Sequence, residues 1–139
     1  MDVGSGAGLP GIPLALTRPD LMATLLEPLE RRATFLTQTV TALGLEDRVR
    51  VIRGRAEEHT DHYDVVTCRA VAALPKLLTW TTKLFWPNGR LVALKGASAA
   101  AELSAAATML KRRGMRGKVE GVRVTPDAEE TFVTVIRRA

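Results

Sequence analysis

The sequence predicts a doubly wound α/β domain, a mostly parallel sheet with helices on both faces and an antiparallel strand pair at its C-terminal end. Three observations carry this. Short apolar, β-branched runs alternate with segments of helical periodicity, the pattern of successive βαβ units. A glycine-rich stretch, DVGSGAGLPG at residues 2–11, joins the first apolar run to the first helix, where exposed backbone N–H groups favour a polar or anionic ligand. The last two extended runs have no helix-length segment between them, so they should fold back on one another.

Each element has its own local reason. Met1 to Val3 supply the first strand, and the turn after it feeds the apolar run Ile12 to Leu16. Pro10 suits a helix's first turn, and Pro19 ends the helix near Arg18 because the residue before a proline avoids helical geometry. Met22 to Leu26 is the second strand and runs into Glu27. Leu29, Ala33, Leu36, Val40 and Leu43 recur every three or four residues and put one apolar stripe on a helix that Gly44 stops. Arg48 to Arg53 is the third strand, followed by the loop Gly54-Arg55-Ala56-Glu57-Glu58, and Tyr63 to Cys68 is the fourth. Leu74 to Phe85 is a helix with Leu74, Leu77, Leu78, Thr81 and either Leu84 or Phe85 inward. Pro87-Asn88-Gly89 turns the chain into a fifth strand, Arg90 to Lys95. Ala97 to Arg113 is an alanine-rich helix, and Lys118 to Val124 with Thr131 to Ile136 form the final pair.

Length and composition indicate one domain over residues 1–139, with 46% hydrophobic and 25% charged residues, a folded rather than a disordered chain. The absence of an 18-residue apolar run and of a signal-peptide pattern gives a cytoplasmic expectation. A lone cysteine, Cys68, leaves no internal disulfide framework. The formal charge of +5 favours anionic partners such as nucleic acid. Solvated helix faces explain the same charges equally well, and Lys111, Arg112 and Arg113 suit the negative end of a helix dipole.

Gly6, Gly8 and Gly11 form a GxGxxG, which alone would indicate a dinucleotide fold and keeps a nicotinamide-dependent oxidoreductase open. The overlapping Asp2-x-Gly4-x-Gly6-x-Gly8 resembles the loop of methyltransferases that use S-adenosylmethionine. Glu27 follows about twenty residues later, where an acid can accept both ribose hydroxyls of an adenosine. Its lesser reading is an acid at a helix start.

DVGSGAGLPGIPLAL, LLEPLERRATFL, GRAEE, CRAVAAL and LVALKG, in this order and spacing, resemble the bacterial small-subunit ribosomal RNA guanine-N7 methyltransferases, the RsmG or GidB family, over essentially the whole chain. The resemblance implies a Rossmann-like class I methyltransferase fold, S-adenosylmethionine as cofactor, and 16S ribosomal RNA or the small ribosomal subunit as partner. It implies a cofactor loop of Gly4, Gly6, Gly8 and Leu9, a ribose acid at Glu27, an adenine contact at Ala56 and Glu57, and an arginine, Arg69, at the cofactor and substrate pocket. Arg55 and Lys95 match basic positions that contact RNA or the cofactor's carboxylate, and Arg69 with Lys95 are the catalytic candidates. Arg31 and Arg32 on the second helix complete the RNA-binding candidates. Arg69 also reads as the partner of a surface carboxylate, and Lys95 as an ordinary strand-end lysine.

The implied reaction suits this inventory. Guanine N7 carries an in-plane lone pair and no hydrogen, so its attack on a sulfonium methyl needs no general base, and alignment and electrostatics carry the catalysis. A target nucleotide must be unstacked, or lie in an irregular loop, to reach the methyl in line. Cys68 ends the strand after which some pyrimidine C5 methyltransferases place a nucleophile, but no neighbour in sequence would stabilise a thiolate, so a buried inert thiol is expected. His59 and His62 flank Asp61 without further ligand spacing, and no metal site is expected.

The chain departs from the family in two places. Members usually carry a helical region before the glycine loop that helps form the RNA surface, so this chain is expected to be N-terminally truncated relative to them, and a non-catalytic cofactor-binding fragment is the second reading. With only Met1 to Val3 for a central strand, its neighbours are expected to keep unpaired backbone groups. Before the last strand, where the family tends to place a basic residue, stand Glu129, Glu130 and Thr131.

Overall fold

The computed structural model describes residues 1–139. Its strands are β1 (Asp2–Val3), β2 (Ala23–Glu27), β3 (Val49–Arg53), β4 (Val65–Arg69), β5 (Arg90–Leu94), β6 (Met115–Val122) and β7 (Thr131–Arg138). Its helices are α1 (Gly11–Thr17), α2 (Glu30–Ala42), α3 (Leu74–Phe85) and α4 (Ala99–Arg112), with a 3-10 turn over Gly96–Ser98 leading into α4. One seven-stranded sheet has the order β3-β2-β1-β4-β5-β7-β6. The first five strands run parallel, and β7 is antiparallel to both β5 and β6.

Adjacent strand residues point to opposite faces, and that splits the core in two. Leu25 joins Ile12, Ala15, Leu36, Val40 and Val49 under α1 and α2. Leu26 faces the other way, into a larger cluster with Val66, Cys68, Leu91 and Ile136 under α3 and α4. The inward residues expected for α3 from its periodicity are all buried, and where Leu84 or Phe85 was expected both are.

Most boundaries fall within one or two residues of expectation. β6 differs more, starting at Met115 rather than Lys118, because Gly114 turns the end of α4 directly into the strand at φ +63°. β7 likewise runs on to Arg138, paired with Met115.

The expected gap around the short central strand is not present. Thr67 donates its N–H to the Met1 carbonyl (2.8 Å), the Met1 ammonium donates to the Val65 carbonyl (2.7 Å), and Gly4 and Ser5 donate to the Leu26 carbonyl (2.8 and 3.1 Å). Residues flanking β1 therefore extend the hydrogen bonding beyond its two paired residues. No helix is long and apolar enough to cross a membrane.

Candidate cofactor and substrate site

The strand order reverses at β1, whose neighbours are β2 and β4. In open parallel sheets the crevice outside the carboxyl ends of the strands at such a reversal is where ligands bind. The sequence candidates Gly4, Gly6, Gly8, Glu27, Ala56, Arg69 and Lys95 all lie at or just past those ends.

The glycine loop is tied down by its own backbone and by Asp2. Asp2 Oδ2 accepts the Gly11 N–H at 3.0 Å at the start of α1, Ser5 Oγ donates to the Asp2 carbonyl at 3.0 Å, and Gly8 N–H donates to the Ser5 carbonyl at 2.7 Å. Burial pushes the Asp2 carboxyl up to about 6, against the opposing pull of the Gly11 N–H, Ser5 and the Arg69 charge. Its other oxygen, Oδ1, is buried without any hydrogen-bond partner.

The three loop glycines have different duties. A Cβ on Gly4 would come within 2.9 Å of Val71 Cγ2, and one on Gly8 within 2.5 Å of Ile12 Cδ1, so these two are closed in by packing. A Cβ on Gly6 would meet only the Gly4 carbonyl at 3.8 Å. All three have positive φ, but Gly6 alone fronts open space.

Glu27 closes the other side of the loop. Although Glu27 is only 2% exposed, each oxygen of its carboxylate is hydrogen-bonded once: Oε2 accepts the Gly6 N–H at 2.9 Å and Oε1 accepts the Leu29 N–H at 3.0 Å. The two readings of this acid are thus compatible, since it anchors the chain entering α2 and also fixes the glycine loop. Each oxygen keeps a further lone-pair site for a hydroxyl donor.

At the end of β3, Gly54 donates to the Glu27 carbonyl (3.2 Å), and Glu58 and His59 close a turn on the Arg55 carbonyl (3.1 and 3.2 Å). Ala56 is buried in the larger core while Arg55 and Glu57 are exposed. Leu9 is 40% exposed on the loop, and Arg31 and Arg32 are exposed on α2.

Arg69 is the last residue of β4 rather than a loop residue, and it is exposed. Ala70 follows at φ +52°, the one non-glycine in the left-handed region. The Lys95 ammonium donates to the Ala72 carbonyl and pairs with Glu102 Oε2 at 2.8 Å. Glu102 also accepts the Leu74 N–H and the Ser98 hydroxyl, both at 2.7 Å. Burial works to raise the Glu102 carboxyl, but its bonds from Lys95, Ser98 and Leu74 outweigh that and hold it below the ordinary range.

This geometry corrects one expectation. The Lys95 side chain is only 7% exposed and its ammonium is occupied, so it is not presented as an outward cation for RNA; it pins the segment between β4 and α3. Sequence reasoning missed its partner Glu102 and the strained Ala70. Cys68 is 1% exposed and burial pushes its thiol up to about 12, which keeps it protonated and unreactive.

A family model described as rRNA small subunit methyltransferase G (GidB) matches residues 1–125. The chain belongs to the GidB family. It is similar to ribosomal RNA small subunit methyltransferase G of Kineococcus radiotolerans, 52% identical over all of this chain and 55% of that protein. It is also similar to the Streptomyces avermitilis protein of the same name, 60% identical over 81% of this chain and 48% of that one. The chain thus spans about half the length of these relatives.

Among solved structures, mitomycin 7-O-methyltransferase MmcR superimposes with a TM-score of 0.77 over 99% of this chain and 48% of its own, at 23% identity. The tRNA methyltransferase TrmK of B. subtilis does so at 0.76 over 99% of this chain and 58% of its own, at 15% identity. The GidB chain therefore has the class I methyltransferase fold, including the antiparallel β5, β7, β6 arrangement.

Proposed function

We propose that this chain binds S-adenosylmethionine at the carboxyl edge of β1, β2 and β3 and transfers its methyl group to guanine N7 in small-subunit 16S ribosomal RNA, acting in the cytoplasm. The observation that carries the reading is the Glu27 carboxylate, held by the Gly6 and Leu29 N–H groups beside the one loop glycine that faces open space. Membership of the GidB family supports the RNA substrate, which its relatives' names state for them.

When bound, the cofactor supplies the electrophilic methyl. The residues present fit such a group. Glu27 has acceptor sites left for the two ribose hydroxyls, Gly4, Gly6, Gly8 and Leu9 form the loop, Ala56 and Glu57 border the adenine side, and the orphaned Asp2 Oδ1 offers an acceptor near Arg69. Arg69 stands exposed where a base would enter, and Lys95 supports the adjoining wall through Ala72. Exposed Arg31, Arg32 and Arg55 would meet the RNA backbone. Nothing in this set has to remove a proton, because guanine N7 has none to lose.

The test has two stages. Thermal-shift titration should show stabilisation by S-adenosylmethionine and not by NAD, and Glu27→Ala should abolish that shift. Labelled methyl should then pass to small ribosomal subunits. Preference for NAD would end the reading; binding without transfer would leave a cofactor-binding unit only.

A further inference from the structure

At the opposite end of the sheet, away from the glycine loop, the register lines up arginines. Arg116 of β6 pairs directly with Arg137 of β7, and one step beyond the Leu91–Ile136 pair Arg137 stands opposite Arg90 of β5. Directly opposed residues share a sheet face, with Cβ atoms about 5 Å apart. Three adjacent strands therefore put three guanidinium groups in one row, and Arg138 adds a fourth at the rim.

These four arginines line a cleft of about 240 Å³ with no hydrophobic residue in its wall. None of them takes part in an ion pair. Asp64 is the one carboxylate on the lining, and its charge acts on the nearby Met1 ammonium. Like charges directly opposed across strands destabilise a sheet. One carboxylate that bridges none of the four arginines leaves the cleft net positive, and a local rule broken this way points to an anionic ligand.

From the geometry we infer that this cleft binds the phosphate groups of an RNA backbone. The guanidinium fork matches phosphate oxygens bidentately, which a lysine ammonium does not. The row crosses two interstrand spacings, about 10 Å in all, more than one isolated phosphate spans and suited to successive phosphates of one strand. It lies about 15 Å, the length of a five-residue strand, from the reaction edge. A folded RNA could touch both. The inference rests on the proposed RNA substrate and adds a second point of attachment, remote from the chemistry.

The experiment uses the full chain, a fluorescent fragment of small-subunit ribosomal RNA, and anisotropy titrations across a range of KCl. Against the unmodified chain stand R116Q/R137Q and R90Q/R116Q/R137Q, with melting curves taken for each. In the triple variant the slope of log K against log salt should become shallower by about two, at roughly 0.7–0.9 for each phosphate no longer neutralised, and the affinity should fall by at least about tenfold. Its Tm should hold or rise, since opposed like charges have been removed, which separates weakened RNA binding from a folding defect.

An unchanged slope in the triple variant overturns the inference. So does pyrophosphate stabilisation that disappears in the triple variant while RNA binding does not, the behaviour of a small-anion site. Polyglutamate competing as well as RNA at equal charge would overturn it in favour of an acidic protein segment. S-adenosylmethionine thermal shifts on the same samples keep the two readings apart. An intact shift with an unaltered RNA slope defeats only the cleft, and a missing shift with the slope lowered as expected defeats only the methyltransferase.

Discussion

Replacing Asp2 by asparagine should remove a distinct piece of the protein's pH dependence. Burial raises this carboxyl from an ordinary 3.8 to about 6. The folded state therefore binds the proton more tightly than the unfolded chain does. The sign follows: the contribution to stability is fully present below about pH 4 and is lost as pH rises through about 6. A shift of about two units at 1.36 kcal/mol each makes the loss about 3 kcal/mol, or about 10 °C in Tm for a domain of this size.

Asparagine keeps an acceptor for the Gly11 N–H and carries no charge. Its amide nitrogen would stand where Oδ1 is buried unpartnered, so the absolute stability of the variant is not the readout. The readout is the difference in Tm between the two proteins, followed by circular dichroism from pH 4 to 6, in which the carboxylates they share cancel. The Met1 ammonium, lowered to about 6 by burial and partly held up by the Asp2 charge, titrates at the upper edge of this window with the opposite sign, so the slope is read over the window's lower half. Parallel Tm curves across pH 4 to 6 would refute the argument that Asp2 is a desolvated acid. A cation bound near Oδ1 would favour the ionised form, so stabilisation by S-adenosylmethionine should grow with pH in the unmodified protein and much less in D2N.

The remaining expectations separate folding from function. Gly6→Val should fold with a Tm loss from its left-handed backbone alone and fail to respond to S-adenosylmethionine, whereas Gly8→Val should lower Tm further because its side chain also meets Ile12 and Leu36; equal melting losses in the two would erase the distinction drawn between them. Glu102→Gln should cost about 2 kcal/mol by weakening the pair with Lys95, and should depress methyl transfer while leaving cofactor affinity within about twofold, measured by calorimetry. Cys68→Ala should cost about 1 kcal/mol of core packing and leave transfer intact; loss of transfer with retained cofactor binding would make the thiol a nucleophile. Joint replacement of Arg31 and Arg32 by glutamine should lower the salt dependence of RNA binding without moving Tm, as read by anisotropy and melting.

The fold was legible because its determinants are local. Proline and glycine punctuation, the stripe from Ala33 to Val40 and the inward face of α3 all lie within single elements, and the absence of a helix between the last two strands settles their direction. The site was legible as a motif but not as a division of labour. Nothing in GSGAGLPG says that Gly4 is closed by Val71 or Gly8 by Leu36, since those neighbours come from segments far along the chain. Lys95 was visible as a basic residue, but its burial depends on Glu102 and on the carbonyl of Ala72, which only the packed structure brings together. The arginine row was hidden for the same reason: Arg90, Arg116 and Arg137 become neighbours only through strand register.

The pinned segment after β4 bears on how catalysis without a base would work. Ala70 in the left-handed region costs about 1–2 kcal/mol relative to ordinary backbone, and a short exposed loop would relax unless held. It is held at Ala72 and at Leu74. Lys95 grips the Ala72 carbonyl, Glu102 grips the Leu74 N–H, and the two side chains grip each other, so one part-buried pair closes the segment onto β5 and α4. On the facing side Glu27 does the same for the glycine loop through Gly6. A reaction whose barrier depends on in-line alignment gains from walls that cannot drift, since an error of about 1 Å can cost about a hundredfold in rate. Glu27, Lys95 and Glu102 at this edge therefore hold backbone in place, while Arg69 is left exposed at the end of β4, where the proposed function has it meet a substrate.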